Sequence, residues 1–267
     1  EDFSFARHTT IGCGGSAEAA AMPACLEEAA QLLTFLERER IPYCYLGAGA
    51  NVLPAEGRFE GVVVRFCNMN ALYADGTSLY AGAGVTGGRL LACAAANAIG
   101  GFEPFSGIPT SVGGGIAMNA GVKELHFGDV TERVIAAEKG KIYTLSQSEC
   151  RFSEKSSLFQ QGIAVLGAYF TGKRSDARTI AARACDFRRR RAGLPKGRSM
   201  GCAFVNPPDR SAGELIEKCG LKNTRVGGAR VSEIHANFIL NEGGTADDIL
   251  ALAELVKARV YMQTGIT

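Results

Sequence analysis

Glycine is the feature that most constrains this chain, because 34 of its 267 residues are glycine. Average glycine usage is about 7%, so the content is nearly doubled. The glycines follow no collagen-like period and therefore indicate many tight turns and close backbone approaches. They are densest in two segments, LGAGANVLP (46–54) and SGIPTSVGGGIAMNAG (106–121).

Composition places the chain among globular proteins of one or two domains. Hydrophobic residues make up 46% and charged residues 21%, which excludes a mainly disordered chain. No apolar run approaches the roughly 20 residues of a transmembrane helix, so no membrane insertion is expected. The first residues, EDFSFARHTT, lack a secretion signal. A net charge of +2 gives no case for a nucleic acid partner.

The nine cysteines form no CxxC pair, and their number is odd. This pattern disfavours a zinc ribbon or a secreted disulfide framework, and we expect no metal site. Apolar neighbours, as around Cys93 in LLACAAANA, favour buried free thiols. Reduced thiols are typical of the cytoplasm, which is the expected location.

Apolar periodicity predicts short helices interleaved with short strands, which favours an α+β fold. The polar segment TGKRSDA (171–177) predicts a boundary between domains 1–172 and 173–267, with Ser175 or Asp176 capping the helix that follows. Helices are predicted over 24–40, 86–98, 176–191, 211–218 and 245–262, and strands over 43–47, 61–66, 78–85, 162–170, 235–241 and on both sides of a turn at 139–141.

Both glycine-rich segments are candidate phosphate-binding loops. Gly47 and Gly49 follow a predicted strand, and successive N–H groups in such a turn can hold an anion. Pro54 and Gly57 exclude a Rossmann helix start, and no GK[ST] follows as in a Walker loop. The second segment is unusually long for a connection. Together the two loops favour a dinucleotide over a mononucleotide, while a glycine-rich turn at a sheet edge remains the alternative.

Six segments, in this order, resemble the MurB family, the FAD-dependent UDP-N-acetylenolpyruvoylglucosamine reductases. The resemblance implies a vanillyl-alcohol oxidase-type (PCMH) FAD-binding domain over 1–172. A smaller substrate-binding domain would follow over 173–267 and would stop short of the last catalytic glutamate of the family. The segments are HTTIGCGGSA (8–17), LGAGANVL (46–53), GFEPFSGIPTSVGGGIAMNAG (101–121), CRFSEKSSLF (150–159), GRSMGCAFVNP (197–207) and VSEIHANFILN (231–241).

The resemblance implies a reductase that converts UDP-N-acetylglucosamine enolpyruvate to UDP-N-acetylmuramate, with FAD as cofactor and NADPH as co-substrate. This is a step in peptidoglycan synthesis and so in cell wall biogenesis, cell shape, cell division and the cell cycle. The expected protein is a monomer that binds a nucleotide sugar. Its expected FAD contacts are Gly47, Ala48, Gly49, Ala50, Asn51, Val52, Gly107, Ile108, Pro109, Thr110, Ser111, Gly113, Gly114, Asn119, Ala120 and Gly121.

Two residues occupy the family's catalytic positions by this resemblance. Cys202 stands where the family usually has a serine that donates a proton, and a thiol with a reference pKa near 8.5 is mostly protonated at neutral pH. Lys155, in the pair Glu154-Lys155, stands where the family has Tyr-Arg. It keeps the positive charge but lacks the bidentate guanidinium. A buried structural thiol and a solvated surface pair are the respective alternatives.

The resemblance also implies that Asn206, His235 and Arg188 bind the substrate. Arg188 opens the run 188–191, which favours either contact with substrate or NADPH phosphates or a helix C-terminus. Three other functions remain open: a non-catalytic flavoprotein of the same fold, a flavin oxidase acting on another substrate, and a nucleotide-sugar binding protein without flavin. Further departures from the family pattern are Ala50 for serine, Thr110 for glycine, Val205 for lysine and Gly193 for lysine.

We predict that FAD is bound non-covalently. By the same resemblance, covalent flavins in this fold are joined to a histidine or cysteine. Neither glycine-rich segment contains a cysteine, and His8, His126 and His235 lie outside both. Acid precipitation should release all the yellow colour into solution, and flavin retained in the pellet would contradict the prediction.

Overall fold

Helices and strands alternate along residues 2–266, which are the residues that the computed structural model describes. The outer ends of the two predicted domains, Glu1 and Thr267, lie outside the described residues. The mixture of elements confirms the predicted α+β fold. No helix within residues 2–266 is long and apolar enough to cross a membrane.

The strands are short and the helices are of very different lengths. The strands are β1 (Phe3–Ser4), β2 (Ser16–Ala21), β3 (Tyr43–Tyr45), β4 (Arg58–Val64), β5 (Leu72–Asp75), β6 (Ser78–Gly82), β7 (Ile99–Gly100), β8 (Gly121–Val122), β9 (Leu125–His126), β10 (Thr131–Glu138), β11 (Lys141–Ser146), β12 (Ala164–Thr171), β13 (Lys173–Arg174), β14 (Arg225–Val226), β15 (Ala229–Val231) and β16 (Ile239–Asn241). The helices are α1 (Phe5–His8), α2 (Leu26–Arg38), α3 (Gly87–Ala96), α4 (Val112–Ala117), α5 (Phe127–Val130), α6 (Ala177–Ala192), α7 (Ala212–Lys218) and α8 (Ala246–Thr264).

The chain divides into two compact units, which we call the sheet unit and the terminal unit. The sheet unit comprises residues 19–48 and 61–192, and the terminal unit comprises residues 2–18, 49–60 and 193–266.

The framework of the sheet unit is a five-stranded antiparallel sheet with the strand order β11-β10-β12-β6-β5. Its side chains alternate between two apolar cores, as expected for a sheet covered on both faces. Val134 and Phe170 belong to the core that includes α3 and α4. Ala137 and Leu166 belong to the core that includes α2. The loop before α4 is therefore built on a fully packed scaffold.

The terminal unit packs α7 and α8 with the small antiparallel sheet β14-β15-β16. Helix α8 begins with a capping box, in which Thr245 and Asp248 bond each other's backbone N–H groups. Its buried residues Ile249, Leu252 and Val256 pack with Val231 of β15. Isolated bridges join Arg198 to Asn241 and Cys202 to Phe238 within this unit.

The sequence-based boundaries are confirmed for most elements and wrong for one strand. Asp176 accepts the N–H of Thr179 at 2.9 Å and caps α6, as expected. The predicted strand 235–241 is a strand only over Ile239–Asn241, because residues 235–238 form a turn closed by the bond from Phe238 N–H to His235 O.

The predicted domain change after Gly172 remains a prediction. In the structure the sheet unit continues to Ala192. Strand β13 pairs with β7, and α6 packs on α3 and on the 3-10 turn Glu103–Phe105. The polar segment is therefore not a break in packing.

The expectation that most cysteines are buried is wrong. All nine are free thiols, but Cys13 and Cys150 alone are buried. Cys150 donates to Ser146 O at 3.2 Å, and burial raises its pKa to about 11, as expected of a structural thiol. Cys202 is one of the exposed thiols, so it is not buried as a structural thiol would be.

Candidate active site

The two glycine-rich segments meet within the sheet unit. Gly47 follows β3, and Ser111 is the N-cap of α4, where its Oγ accepts the N–H of Gly114 at 3.3 Å. A Cβ atom added to Gly47 would lie only 2.8 Å from Ser111 Oγ. Only glycine allows this approach, so the first segment lies against the second at the start of α4.

The second segment is fixed to the sheet by its own backbone. The N–H groups of Val112 and Gly113 donate to Val85 O and Ala83 O at 2.8 and 2.9 Å. The N–H of Gly115 donates to Ser111 O at 2.7 Å. We expected this loop to contact a cofactor mainly through N–H groups, but these three are already used within the protein.

The remainder of the first segment belongs to the terminal unit, which the chain enters at Gly49. Gly49 has φ +68°, and a Cβ atom there would lie 2.2 Å from His8 O. Its carbonyl accepts the N–H of Thr10 at 3.0 Å. The following Asn51 and Val52 are exposed. Gly49 is thus required by packing within the protein, whatever the segment binds.

Lys155 lies at the tip of a tight turn in the sheet unit. The turn is closed by bonds between the backbones of Ser153 and Ser156, at 3.0 and 3.2 Å. Glu154 and Lys155 are its exposed central residues, and Lys155 has φ +56°. The exposure of Glu154 and Lys155 agrees with the alternative of a solvated surface pair. The backbone bonds between Ser153 and Ser156 nevertheless hold the turn in place.

Side chains join this turn to the end of the second glycine-rich segment. Asn119 Nδ2 donates to Ser153 O at 2.8 Å, and Asn119 Oδ1 accepts the N–H of Gly128 at 2.8 Å. Ser157 Oγ donates to Ala117 O at 2.7 Å. Asn119, which we expected to bind the cofactor, is buried and is used in this connection. The structure thereby places the turn of Lys155 next to the predicted cofactor loop.

Ser157 and Gln160 were not identified from the sequence. Gln160 Nε2 donates to Lys155 O at 2.9 Å and so supports the tip of the turn. A serine and a glutamine in a polar loop carry no sequence pattern that distinguishes them.

Cys202 lies in the terminal unit, in a segment held by backbone bonds. Gly201 before it has φ +81°, and Cys202 forms a bridge with Phe238. Ala203 N–H donates to Asn237 O at 2.7 Å. The thiol is thus carried on an exposed but anchored loop.

The predicted substrate-binding residues Asn206 and His235 are anchored around the same segment. Asn206 Oδ1 accepts the N–H of Ala212, the first residue of α7, at 3.0 Å. His235 Nδ1 accepts the N–H of Asn237 at 3.2 Å, and its ring meets Phe238 edge-on at 5.2 Å. Both side chains are thus held by backbone N–H groups close to the Cys202 segment.

Arg188 lies near the end of α6, and its neighbours contact the second glycine-rich segment. Arg191 Nε donates to Gly107 O at 3.2 Å. Arg190 pairs with Glu124 at 3.0 Å and with Asp186 at 2.7 Å. Arg188 itself is exposed. The arginine run is therefore more than a solvated helix end, although Arg188 and Arg189 are both exposed.

Two histidines lie closer to the glycine-rich segments than the sequence suggested. The carbonyl of His8 packs on Gly49, and His126 is the strand partner of Gly121. His8 stacks on Phe3 at 4.3 Å, and His126 Nδ1 lies 3.6 Å from Asp129. Non-covalent binding of flavin remains a prediction.

Comparison with known proteins first defines the class. Residues 17–145 match the family model of an FAD binding domain. The fold is shared with a solvent-stable cholesterol oxidase, at a TM-score of 0.53 and 13% identity over 65% of this chain and 37% of that chain. The sheet unit is therefore part of a flavoprotein with a PCMH-type FAD-binding domain.

Comparison over the whole length then gives the family. Residues 194–267 match the C-terminal domain of UDP-N-acetylenolpyruvoylglucosamine reductase. The reductase of Geobacter sulfurreducens is 37% identical over 99% of this chain and 89% of its own. That of Caldanaerobacter subterraneus subsp. tengcongensis is 36% identical over 97% and 88%. The crystal structure of the enzyme (MurB) from Thermus caldophilus matches with a TM-score of 0.85 and 33% identity, over 97% of this chain and 94% of that chain.

The chain belongs to the MurB family of UDP-N-acetylenolpyruvoylglucosamine reductases. Membership confirms the expected fold, an oxidoreductase activity and FAD as the cofactor.

The residues of the sheet unit fit FAD. Gly47 lies against Ser111, but Gly47 and Ala48 are exposed, so their backbone remains accessible to a ligand. Among the described residues, buried Ser106 Oγ has no hydrogen-bond partner. Such a group normally finds one, so a bound ligand that reaches it is consistent with the loop.

Gly47→Ala is expected to weaken FAD binding and to destabilise the protein by about 1 kcal/mol, the usual effect of losing an N-cap. The new Cβ atom would displace Ser111 Oγ from Gly114. The measurements are the flavin-to-protein absorbance ratio after dialysis and the free energy of unfolding. Gly88→Ala is the matched control, because a Cβ atom there meets nothing within 4 Å. Equal flavin retention in both variants would contradict the prediction.

Proposed function

We propose that this protein reduces the enolpyruvyl ether of UDP-N-acetylglucosamine enolpyruvate to UDP-N-acetylmuramate, with NADPH as the hydride source. The observation that supports this most is the connection of the Lys155 turn to the second glycine-rich segment through Asn119 and Ser157. It joins a cation to the cofactor loop in a chain that is similar to these reductases from end to end. An absorption spectrum of the purified protein, before and after NADPH and then the enolpyruvyl substrate, tests the proposal.

The reaction adds a hydride and a proton across the carbon–carbon double bond of the substrate and oxidises NADPH to NADP⁺. FAD, when bound, carries the hydride between the two substrates. The protein must supply a positive charge for the enolpyruvyl carboxylate and an acid for the adjacent carbon. We assign the charge to Lys155 and the acid to Cys202, whose thiolate then recovers a proton from water.

Binding of the two ligands is assigned to separate parts of the chain. Residues 47–52 and 107–121 are the proposed FAD contacts. Asn206, His235 and Arg188 are the proposed substrate contacts, with Arg188 suited to a diphosphate because its exposed guanidinium can bond two oxygens. The domain that binds FAD would extend over 1–172 and the substrate-binding domain over 173–267.

The proposed setting is the cytoplasm, where peptidoglycan precursors and NADPH are available. There the protein would act as a monomer without a nucleic acid partner. Its product would serve cell wall biogenesis, cell shape and cell division.

A non-catalytic flavoprotein is the second candidate, and Glu154 favours it. This exposed carboxylate lies beside Lys155 at the tip of the turn, where it would repel an anionic substrate. Flavin that is reduced by NADPH but not reoxidised by the enolpyruvyl substrate would support this candidate. Oxygen consumption with an alcohol and no response to NADPH would instead support a flavin oxidase.

Cys202→Ala is expected to slow flavin reoxidation by the enolpyruvyl substrate roughly 10²–10⁴-fold, the usual contribution of a positioned acid. Reduction by NADPH should keep the parental rate, because it needs no proton at carbon. Stopped-flow absorbance measures both half-reactions. Cys185→Ala removes another exposed thiol and is the control. If Cys202→Ala keeps both parental rates, the thiol is not the proton donor.

Lys155→Arg is expected to accelerate reoxidation, and Lys155→Ala to slow it. Arginine restores two parallel N–H bonds to a carboxylate, where lysine offers a point charge. The benefit is greatest in the hydride-transfer transition state, where the negative charge is largest. Lys139→Ala is the matched control, because Lys139 is also exposed at positive φ in a turn. Equal rates for parent and both Lys155 variants would place Lys155 outside the active site.

A further inference from the structure

The side-chain amide of Asn237 is paired with the backbone of Phe204. Asn237 Oδ1 accepts the N–H of Phe204 at 2.8 Å, and Asn237 Nδ2 donates to Phe204 O at 2.9 Å. Asn237 is only 2% exposed. One planar group thus satisfies both main-chain groups of a single residue, as a neighbouring strand would.

Phe204 lies two residues after Cys202 and packs with the apolar core of the terminal unit. Cys202, Ala203, Val205 and Asn206 are exposed, and Val205 is 70% exposed. Ala203 N–H donates to Asn237 O, and Cys202 forms a backbone bridge with Phe238. Asn237 and its direct neighbour Phe238 therefore hold the backbone of three consecutive residues, Cys202, Ala203 and Phe204.

Asn237 is itself held within a hydrogen-bonded turn. Its N–H donates to His235 Nδ1 at 3.2 Å. The buried Ser232 Oγ accepts the N–H groups of Ile234 and His235 at 3.1 and 3.4 Å. These bonds lie within residues 232–237 and do not involve the Cys202 segment, so Asn237 is held independently of the segment that it contacts.

We propose that Asn237 is the positioning residue for the Cys202 proton donor. This inference rests on the proposed function, in which Cys202 protonates the substrate carbon. Proton transfer requires the acid at hydrogen-bond distance from the reacting atom. A displacement of about 1 Å can cost roughly 10²-fold in rate. Removing the carboxamide leaves the N–H and C=O of Phe204 without these partners and lets the segment shift.

Asn237→Ala is expected to slow flavin reoxidation by the enolpyruvyl substrate about 10- to 100-fold, the range for a misplaced catalytic group. Flavin reduction by NADPH should stay at the parental rate. Asn237→Asp is the second variant, since an ionised carboxylate cannot donate to Phe204 O, and it should also slow reoxidation. The bound-flavin spectrum confirms that each variant is folded.

Asn241→Ala is the matched control. Asn241 is another buried asparagine of the terminal unit, and its side chain bonds Ile11 O and the N–H groups of Gly243 and Gly244. Its loss should lower stability comparably without a selective effect on reoxidation. Equal selective slowing in Asn241→Ala and Asn237→Ala would overturn the inference, as would equal slowing of both half-reactions by Asn237→Ala.

The double variant Cys202→Ala/Asn237→Ala separates the inference from the proposed function. If Asn237 acts through the thiol, its loss should not slow reoxidation further once Cys202 is alanine. Slow reoxidation in Cys202→Ala with a parental rate in both Asn237 variants overturns the inference alone. A parental rate in Cys202→Ala overturns the proton donor itself, and the positioning role with it.

Discussion

The hydrogen bonds from Val112 and Gly113 to the carbonyl groups of Val85 and Ala83 fix the second glycine-rich loop to its scaffold. The candidate site of the sheet unit depends on them. They set where α4 begins, and with it the Ser111 oxygen that lies against Gly47. A glycine-rich loop would otherwise have the highest conformational entropy of any segment to lose on binding. Attachment to a packed sheet removes most of that cost before a ligand arrives.

Two buried asparagines perform the same physical task in the two units. Asn119 connects α4 to the turn of Lys155, and Asn237 connects a turn to the segment of Cys202. A carboxamide suits this role because it has a donor and an acceptor in one plane, like a peptide group. Each unsatisfied buried polar group costs about 1–3 kcal/mol, so the connections are strongly favoured once formed. Both asparagines bond to backbone atoms rather than to the side chains of Lys155 or Cys202.

The sequence predicted the elements that depend on local patterns. Apolar spacing and the Asp176 cap were enough for α2 and α6, because these signals lie within one or two turns of helix. The carboxamide connections were not predictable, since Asn119 and Ser153 are 34 residues apart and Asn237 and Phe204 are 33 apart. No pattern in a single sequence encodes such pairs.

Two of the errors have the same origin. The prediction of a strand over 235–241 was wrong for its first four residues, which form a largely buried turn. Apolar periodicity alone does not distinguish such a turn from a strand. The prediction that most thiols are buried was wrong because apolar neighbours in the sequence do not determine which face of an element a residue occupies. The roles of Cys202 and Lys155 depend on resemblance, and local geometry determines only how each is held.

Attachment through the backbone explains how the chemistry at two positions could change without loss of the site. The bonds at Ser153, Lys155 O and Phe204 do not involve the side chains of Lys155 or Cys202. A thiol in place of a hydroxyl keeps the donor position and has a lower pKa. An ammonium in place of a guanidinium keeps the charge and loses only the paired geometry. Glu154 opposes that charge, but both groups are exposed, where water and salt weaken their interaction. Exclusion of water from the turn on substrate binding would lower the local dielectric constant. It would therefore strengthen both the attraction of the substrate carboxylate to Lys155 and its repulsion from Glu154.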